Sequence, residues 1–87
     1  MPRIHTSRAA RKRAVSIGKR ITAARQTAGI SVRALATRLG MHHSTLYRLE
    51  AGNISQSLND LDRIARVLGI AVTTLAFSEA QIEAKAS

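Results

Sequence analysis

The side chains best suited to catalysis or metal binding lie together at His42, His43 and Ser44. Neighbouring side chains on a helix point about 100° apart, no third ligand is spaced nearby, and His5 lies in a different segment. Ser44 beside His43 falls on a predicted short surface helix, without a carboxylate pair or a phosphate-binding loop. We therefore expect no enzymatic activity, no cofactor and no metal, and the chemistry of these residues reduces to hydrogen bonding and charge.

Charge is distributed very unevenly along the chain. Eleven of the fourteen Lys and Arg residues precede Glu50, which is the first acidic residue, so this stretch carries +11. From Glu50 onward three cations oppose five acids, which gives −2 and accounts for the net charge of +9. A potential divided in this way directs one part of the molecule at a polyanion. Nucleic acid is the partner that this pattern favours.

Size and composition indicate one small domain. The chain has 87 residues and no Cys, so neither disulfides nor thiolate metal sites are available. The apolar runs are too short to cross a bilayer, and the region 1–20 lacks the apolar stretch of a secretory signal. We expect a cytoplasmic protein without a membrane segment.

Glycines and capping residues predict five helices and no strand. Helix one buries one face and ends at Gly29, helix two begins after Ser31 and ends at Gly40, and helix three spans residues 43–51 before Gly52. The expected buried positions of these helices are Ile17, Ile21, Ala24, Ala28, Leu35, Ala36, Leu39, Leu46 and Leu49.

The C-terminal third predicts two more helices. Ser57 and Asp60 form a variant capping box for helix four, and Gly69 ends it. Its apolar stripe comprises Leu58, Leu61, Ile64, Ala65 and Leu68. A short fifth helix holds Val72, Leu75 and Ala76, with Phe77 filling a seam of the core. The expected organisation is a basic N-terminal arm at 1–14, a helical domain at 15–77 and a tail at 78–87 that could add a short helix.

The run from Gly29 to Gly52, with Ser57-Leu-Asn-Asp-Leu and Leu68-Gly69 after it, resembles the Cro and lambda-repressor family, also called the xenobiotic-response-element family. The resemblance covers about residues 17–76. It implies an all-α, compact five-helix DNA-binding domain with a helix-turn-helix, whose helix three enters the major groove. It also implies an ion pair between Arg25 and Glu50. Many relatives carry glutamine where this chain has Val32, so one phosphate contact at the start of helix two is weakened.

On this basis the face of helix three opposite Leu46 and Leu49 supplies the base contacts, namely His43, Ser44, Tyr47 and Arg48. The expected contacts to the DNA backbone are Arg33, Arg38, His42, Thr45 and Lys19. The arm residues Arg3, Arg8, Arg11, Lys12 and Arg13 would follow the backbone or enter a minor groove. Imidazoles near phosphate favour the charged form, so we expect tighter DNA binding near pH 6 than near pH 8.

Three functions remain open from the sequence. The first is a sequence-specific regulator of transcription, a repressor that binds a palindromic operator on double-stranded DNA as a homodimer. The second is an antitoxin-like protein that binds a partner toxin and represses its own operon. The third is a nonspecific basic nucleic-acid-binding protein. Only Tyr47 and Phe77 are aromatic, which argues against stacking on single strands.

Overall fold

A computed structural model describes residues 7–86, with the backbone alone for residues 85 and 86. This part of the chain forms six α-helices and no strand. The all-α expectation is confirmed, with one helix more than the five predicted. None of these helices is long and apolar enough to cross a membrane.

Helix α1, Arg8–Thr27, begins well before the predicted domain start at residue 15. Ser7 caps it by accepting a hydrogen bond from the Ala10 N–H at 3.1 Å. Four of the five predicted arm cations, Arg8, Arg11, Lys12 and Arg13, are therefore helical. Arg3 lies outside the described residues. Ala28, expected to be buried, is exposed because it follows the last helical residue as the C-cap.

Helices α2, Val32–Leu39, and α3, His43–Ala51, have the predicted boundaries. Ser31 caps α2 by accepting from the Ala34 N–H at 3.0 Å. Three residues, 40 to 42, separate the two helices, as expected for a helix-turn-helix.

Helix α4, Leu58–Leu68, starts with the predicted capping box of Ser57 and Asp60. Leu58 is 73% exposed, which corrects its assignment to the buried stripe, because the first residue of α4 lies outside the packed face. Helix α5, Val72–Ala76, has no side-chain cap at Ala71, and α6, Glu79–Ala86, follows it.

The core lies between α1 and the helices that follow it. Its largest fully buried side chains are Ile21, Leu35, Leu46, Leu49, Ile64 and Leu75. Every helix from α1 to α5 thus contributes to one interior, which is the efficient solution for a small domain. Phe77 is half-buried and lines a groove with Arg20 and Ile82 between α1, α5 and α6, so it does not fill the core seam predicted for it.

Candidate nucleic-acid interface

Helix α3 separates an apolar face from a polar one. Leu46 and Leu49 are completely buried, whereas Tyr47 is 65% exposed and Arg48 is also exposed. The two leucines are three residues apart and anchor one side of the helix, so the residues between them must point outward. His43 and Ser44, one turn earlier, are partly exposed. The four residues predicted to contact bases are therefore accessible from outside the domain.

The first turn of α3 is shaped by its N-cap, His42. Its Nδ1 accepts from the Ser44 N–H at 3.2 Å and lies 2.7 Å from the Ser44 hydroxyl, which is then the donor in that contact. The His42 and His43 rings stack with centroids 4.4 Å apart and planes at 27°. The expectation that the two rings diverge was wrong, because His42 has an extended backbone and precedes the helix.

Stacked rings do not converge their nitrogens on a common point. Within residues 7–86 no three His, Asp or Glu side chains are grouped to hold a metal ion. The stacked rings of His42 and His43 instead offer ring nitrogens for hydrogen bonding and charge. Burial among its neighbours, followed by the charges of Arg33 and His42, lowers the pKa of His43.

The other residues predicted to contact the DNA backbone differ in how exposed they are. Arg33 and Arg38 are exposed on the first and last turns of α2, and Lys19 is exposed on α1. Thr45 is partly buried in the first turn of α3, where its N–H donates to the His42 carbonyl. Val32 packs against the core, so its apolar side chain stabilises the domain. All DNA contacts of these residues remain predictions.

Helix α3 is held against α1 at a close crossing. The predicted ion pair is present, with Arg25 Nε 2.8 Å from Glu50 Oε2. A Cβ added to Gly18 would lie 2.2 Å from the Glu50 carbonyl oxygen, and one added to Gly52 would lie 2.5 Å from the Val15 Cα. Only glycine permits backbones to approach so closely. Sequence reasoning missed Gly18, although a glycine inside a helical pattern was its signal.

Gln56 is a second residue that the sequence did not single out. Its Nε2 donates to the carbonyls of Ala14 and Leu49, both at 2.8 Å, and so joins the N-terminal half of α1 to the last turn of α3. Arg63 donates to the Leu39 carbonyl and ties α4 to the end of α2. The acceptors of both side chains are backbone carbonyls. Because every residue has a carbonyl, no sequence pattern marks these hydrogen bonds.

The basic residues of α1 fall on two sides of the helix. Arg8, Arg11, Lys12 and Lys19 line a shallow groove together with Val15 and Ser16. Arg13 lines a second groove toward α5 and α6, near Phe77 and Gln81, which Lys12 also borders. The predicted arm is therefore not a single cationic surface.

Comparison with known proteins matches this architecture. The family model described as "Helix-turn-helix domain" matches residues 16–77. Over 56 residues the chain is 38% identical to the putative HTH-type transcriptional regulatory protein PAE1627 of Pyrobaculum aerophilum, a match that covers 64% of this chain and 22% of that protein. The chain thus spans less than a quarter of the length of that relative.

Solved structures give the same result for the fold. The restriction-modification controller protein C.AhdI of Aeromonas hydrophila superposes with a TM-score of 0.68 at 29% identity, over 71% of this chain and 94% of that one. An HTH_3 family transcriptional regulator from Vibrio cholerae has a TM-score of 0.75 at 22% identity, over 84% and 41% of the two chains. The hypothetical transcription factor NHTF from Neisseria has a TM-score of 0.73 at 18% identity, over 97% of both chains. At these two lower identities the likeness concerns the fold alone.

With its caps, its helix-turn-helix and the family match over residues 16–77, the chain belongs to the helix-turn-helix domain family, in the Cro and lambda-repressor class of DNA-binding transcriptional regulators.

Proposed function

We propose that this chain is a sequence-specific repressor of transcription that inserts α3 into the major groove of double-stranded DNA. The observation that carries the proposal is the outward face of α3, where Tyr47 and Arg48 are exposed while Leu46 and Leu49 are fully buried. An arginine on such a face can donate two hydrogen bonds to guanine O6 and N7, and tyrosine can contact a thymine methyl group or a phosphate.

Charge supports nucleic acid over a protein partner for this surface. The stretch before Glu50 contains no carboxylate side chain, so the only acidic residue that α1, α2 and α3 supply is Glu50, which pairs with the half-buried Arg25. Arg33 is an exposed cation on the first turn of α2, and the imidazoles of His42 and His43 stack at the N-terminal end of α3. Such residues hold phosphates and thereby orient the helix that contacts the bases.

The proposal includes a homodimer on a palindromic operator, with half-sites about one helical turn apart. Two copies of a chain with net charge +9 repel each other, so they should meet where positive charge is lowest. Residues 72–82 carry Glu79 and no Lys or Arg, and Ile82 is 38% exposed. This segment is our candidate for the dimer interface.

The deciding experiment is selection of bound sequences from random duplexes at near-physiological salt. We expect a two-fold symmetric consensus for the unaltered chain. A promoter that contains this consensus should lose expression when the protein is produced. Equal retention of all duplexes would contradict sequence-specific binding and would instead favour a nonspecific nucleic-acid-binding protein.

A matched pair of variants tests the role of α3. Arg48→Gln removes a cation from the proposed base-reading face, whereas Arg66→Gln removes an exposed cation from α4. We expect the first variant to weaken the consensus at one or two positions and the second to leave it intact. Identical consensus sequences for both variants would show that Arg48 reads no base.

A further inference from the structure

One side of α1 carries a row of cations that the recognition helix does not include. Arg8, Arg11, Lys12 and Lys19 are exposed and line the same shallow groove. Counted from Arg8, the other three lie three, four and eleven residues along the helix, offsets that follow the helical period and place the four along one face over about three turns. We call these four residues the basic face of α1. The sequence of α1 contains no Asp or Glu to neutralise it.

The position of this face relative to α3 is defined by close backbone contacts. Val15, which lies between Arg11 and Lys19 in the same groove, faces Gly52, where an added Cβ would lie 2.5 Å from the Val15 Cα. Gln56 joins the neighbouring Ala14 carbonyl to Leu49 in the last turn of α3. The basic face therefore adjoins the C-terminal end of α3 and cannot swing away as a flexible arm would.

Simple helix geometry gives the reach of the face. At 1.5 Å per residue, Arg11 lies about 6 Å and Arg8 about 10 Å along the axis from Val15. The major groove is about 12 Å wide and is bordered by phosphates on both sides. With α3 in the groove, a strand that passes its C-terminal end at this spacing would come within reach of Arg8, Arg11 and Lys12.

We propose that the basic face of α1 is a second DNA-binding surface, which holds phosphates of the strand beside the C-terminal end of α3 and extends the contacted length beyond the base pairs that α3 reads. This inference rests on the proposed insertion of α3 into the major groove. Contacts of this kind add affinity and salt dependence but carry no base information.

The test uses the full chain with the substitutions Arg8→Gln, Arg11→Gln and Lys12→Gln combined. Each lost phosphate contact should reduce the slope of log K against log salt by about 0.9. The ratio of affinities between about 50 mM and 200 mM salt should therefore shrink by roughly 40-fold for each protomer. The consensus obtained by selection should stay unchanged. Arg13→Gln is the control, because Arg13, unlike Arg8, Arg11 and Lys12, does not line the groove of the basic face, and its salt slope should equal that of the unaltered chain.

Duplex length gives an independent measurement. Trimming the base pairs that flank the consensus should weaken binding of the unaltered chain, whereas the triple variant should bind long and trimmed duplexes equally. Loss of folding is controlled by thermal melting. Arg8 repels Arg11 and Lys12 at spacings of three and four residues, so the triple variant should melt at the same temperature as the unaltered chain or higher.

The two proposals fail separately. An unchanged salt slope in the triple variant, together with an intact consensus, would overturn the second surface and leave sequence-specific binding standing. If the unaltered chain selects no consensus but the triple variant still has a reduced salt slope, sequence-specific regulation would be contradicted and the phosphate contacts of α1 would be retained. A consensus altered by the triple substitution would show that the basic face reads bases, which also overturns this inference.

Discussion

Arg25 and Glu50 join α1 to α3 through two parallel hydrogen bonds. Arg25 Nε lies 2.8 Å from Glu50 Oε2, and Nη2 lies 3.1 Å from Oε1. Their side chains are only 12% and 8% exposed, and the Thr22 hydroxyl also donates to Oε1 at 2.8 Å. Arg25 Nη1 reaches the Ile30 carbonyl. This pair thus fixes α3 on α1 and positions the connection to α2.

Removing one partner of this pair should destabilise the domain strongly. Glu50→Ala leaves the Arg25 guanidinium buried without its counterion, and we expect a loss of about 3 to 5 kcal/mol in the free energy of unfolding. The control is Asp62→Ala, which breaks the exposed pair with Arg66 and should cost at most about 1 kcal/mol. Equal melting temperatures for the two variants would argue against a structural role for the buried pair.

Gly18→Ala should also destabilise the domain, although alanine is normally the better helix former by about 1 kcal/mol. The added methyl would meet the Glu50 carbonyl oxygen at 2.2 Å, so α1 and α3 must separate at a cost of about 1 to 3 kcal/mol. Denaturant unfolding measures the change. Gln26→Ala, on the exposed last turn of α1, controls for the effect of an alanine on the helix without a clash. A stabilised Gly18→Ala would contradict the close crossing.

Tyr47→Ala should weaken binding to the selected operator without affecting folding. Tyr47 is 65% exposed, so little packing is lost, whereas a lost base or phosphate contact costs about 1 to 3 kcal/mol, or roughly 5- to 150-fold in affinity. Binding titrations with operator and scrambled duplexes measure the change. Leu58→Ala is the control, since Leu58 is similarly exposed on α4. If both variants bind the operator equally well, Tyr47 makes no contact that contributes to operator affinity.

Operator affinity should increase as the pH falls from about 8 to about 6. A phosphate near His43 favours the imidazolium, so binding takes up a proton. In the free protein, burial and then the charges of Arg33 and His42 lower the pKa of His43 from 6.5, and most of the increase should therefore occur on the acidic side of this range. His43→Gln should flatten the dependence. An equally steep profile in that variant would assign the proton to another group.

The same shift has the opposite effect on folding. Because the folded chain binds the His43 proton less readily than the unfolded chain does, the contribution of His43 to the free energy of unfolding decreases as the pH falls through 6.5 and below. The difference between the melting temperatures with and without operator should therefore grow as the pH falls, because operator binding strengthens while the free protein becomes less stable. A parallel decrease in both series would show that His43 is remote from phosphate.

Local signals were sufficient for most helix boundaries. Ser31 and Ser57 cap their helices by contacts within three residues, and Gly40, Gly52 and Gly69 end theirs with positive φ. Such interactions depend on residues close in the chain, so sequence pattern reveals them. The resemblance to a known family added Arg25 and Glu50, which are 25 residues apart and which no local pattern would pair.

Other features depend on neighbours that are distant in sequence. The accessibility of Leu58 and the two-sided distribution of the α1 cations follow from which helix face meets another helix. The start of α1 at Arg8 was missed, and the residues that support this part of the helix are distant in sequence, because Ala14 and Val15 contact Gln56 and Gly52.

The sequence by itself determined the helical class, the order of the helices and the excess of positive charge, since caps, apolar periodicity and charge are properties of short segments. Only the tertiary structure decided that Gly18 and Gly52 let α3 lie directly on α1, and that the basic face adjoins the end of α3. The reason is physical, because a close approach of two backbones depends on the packing of the whole core, which no single segment encodes.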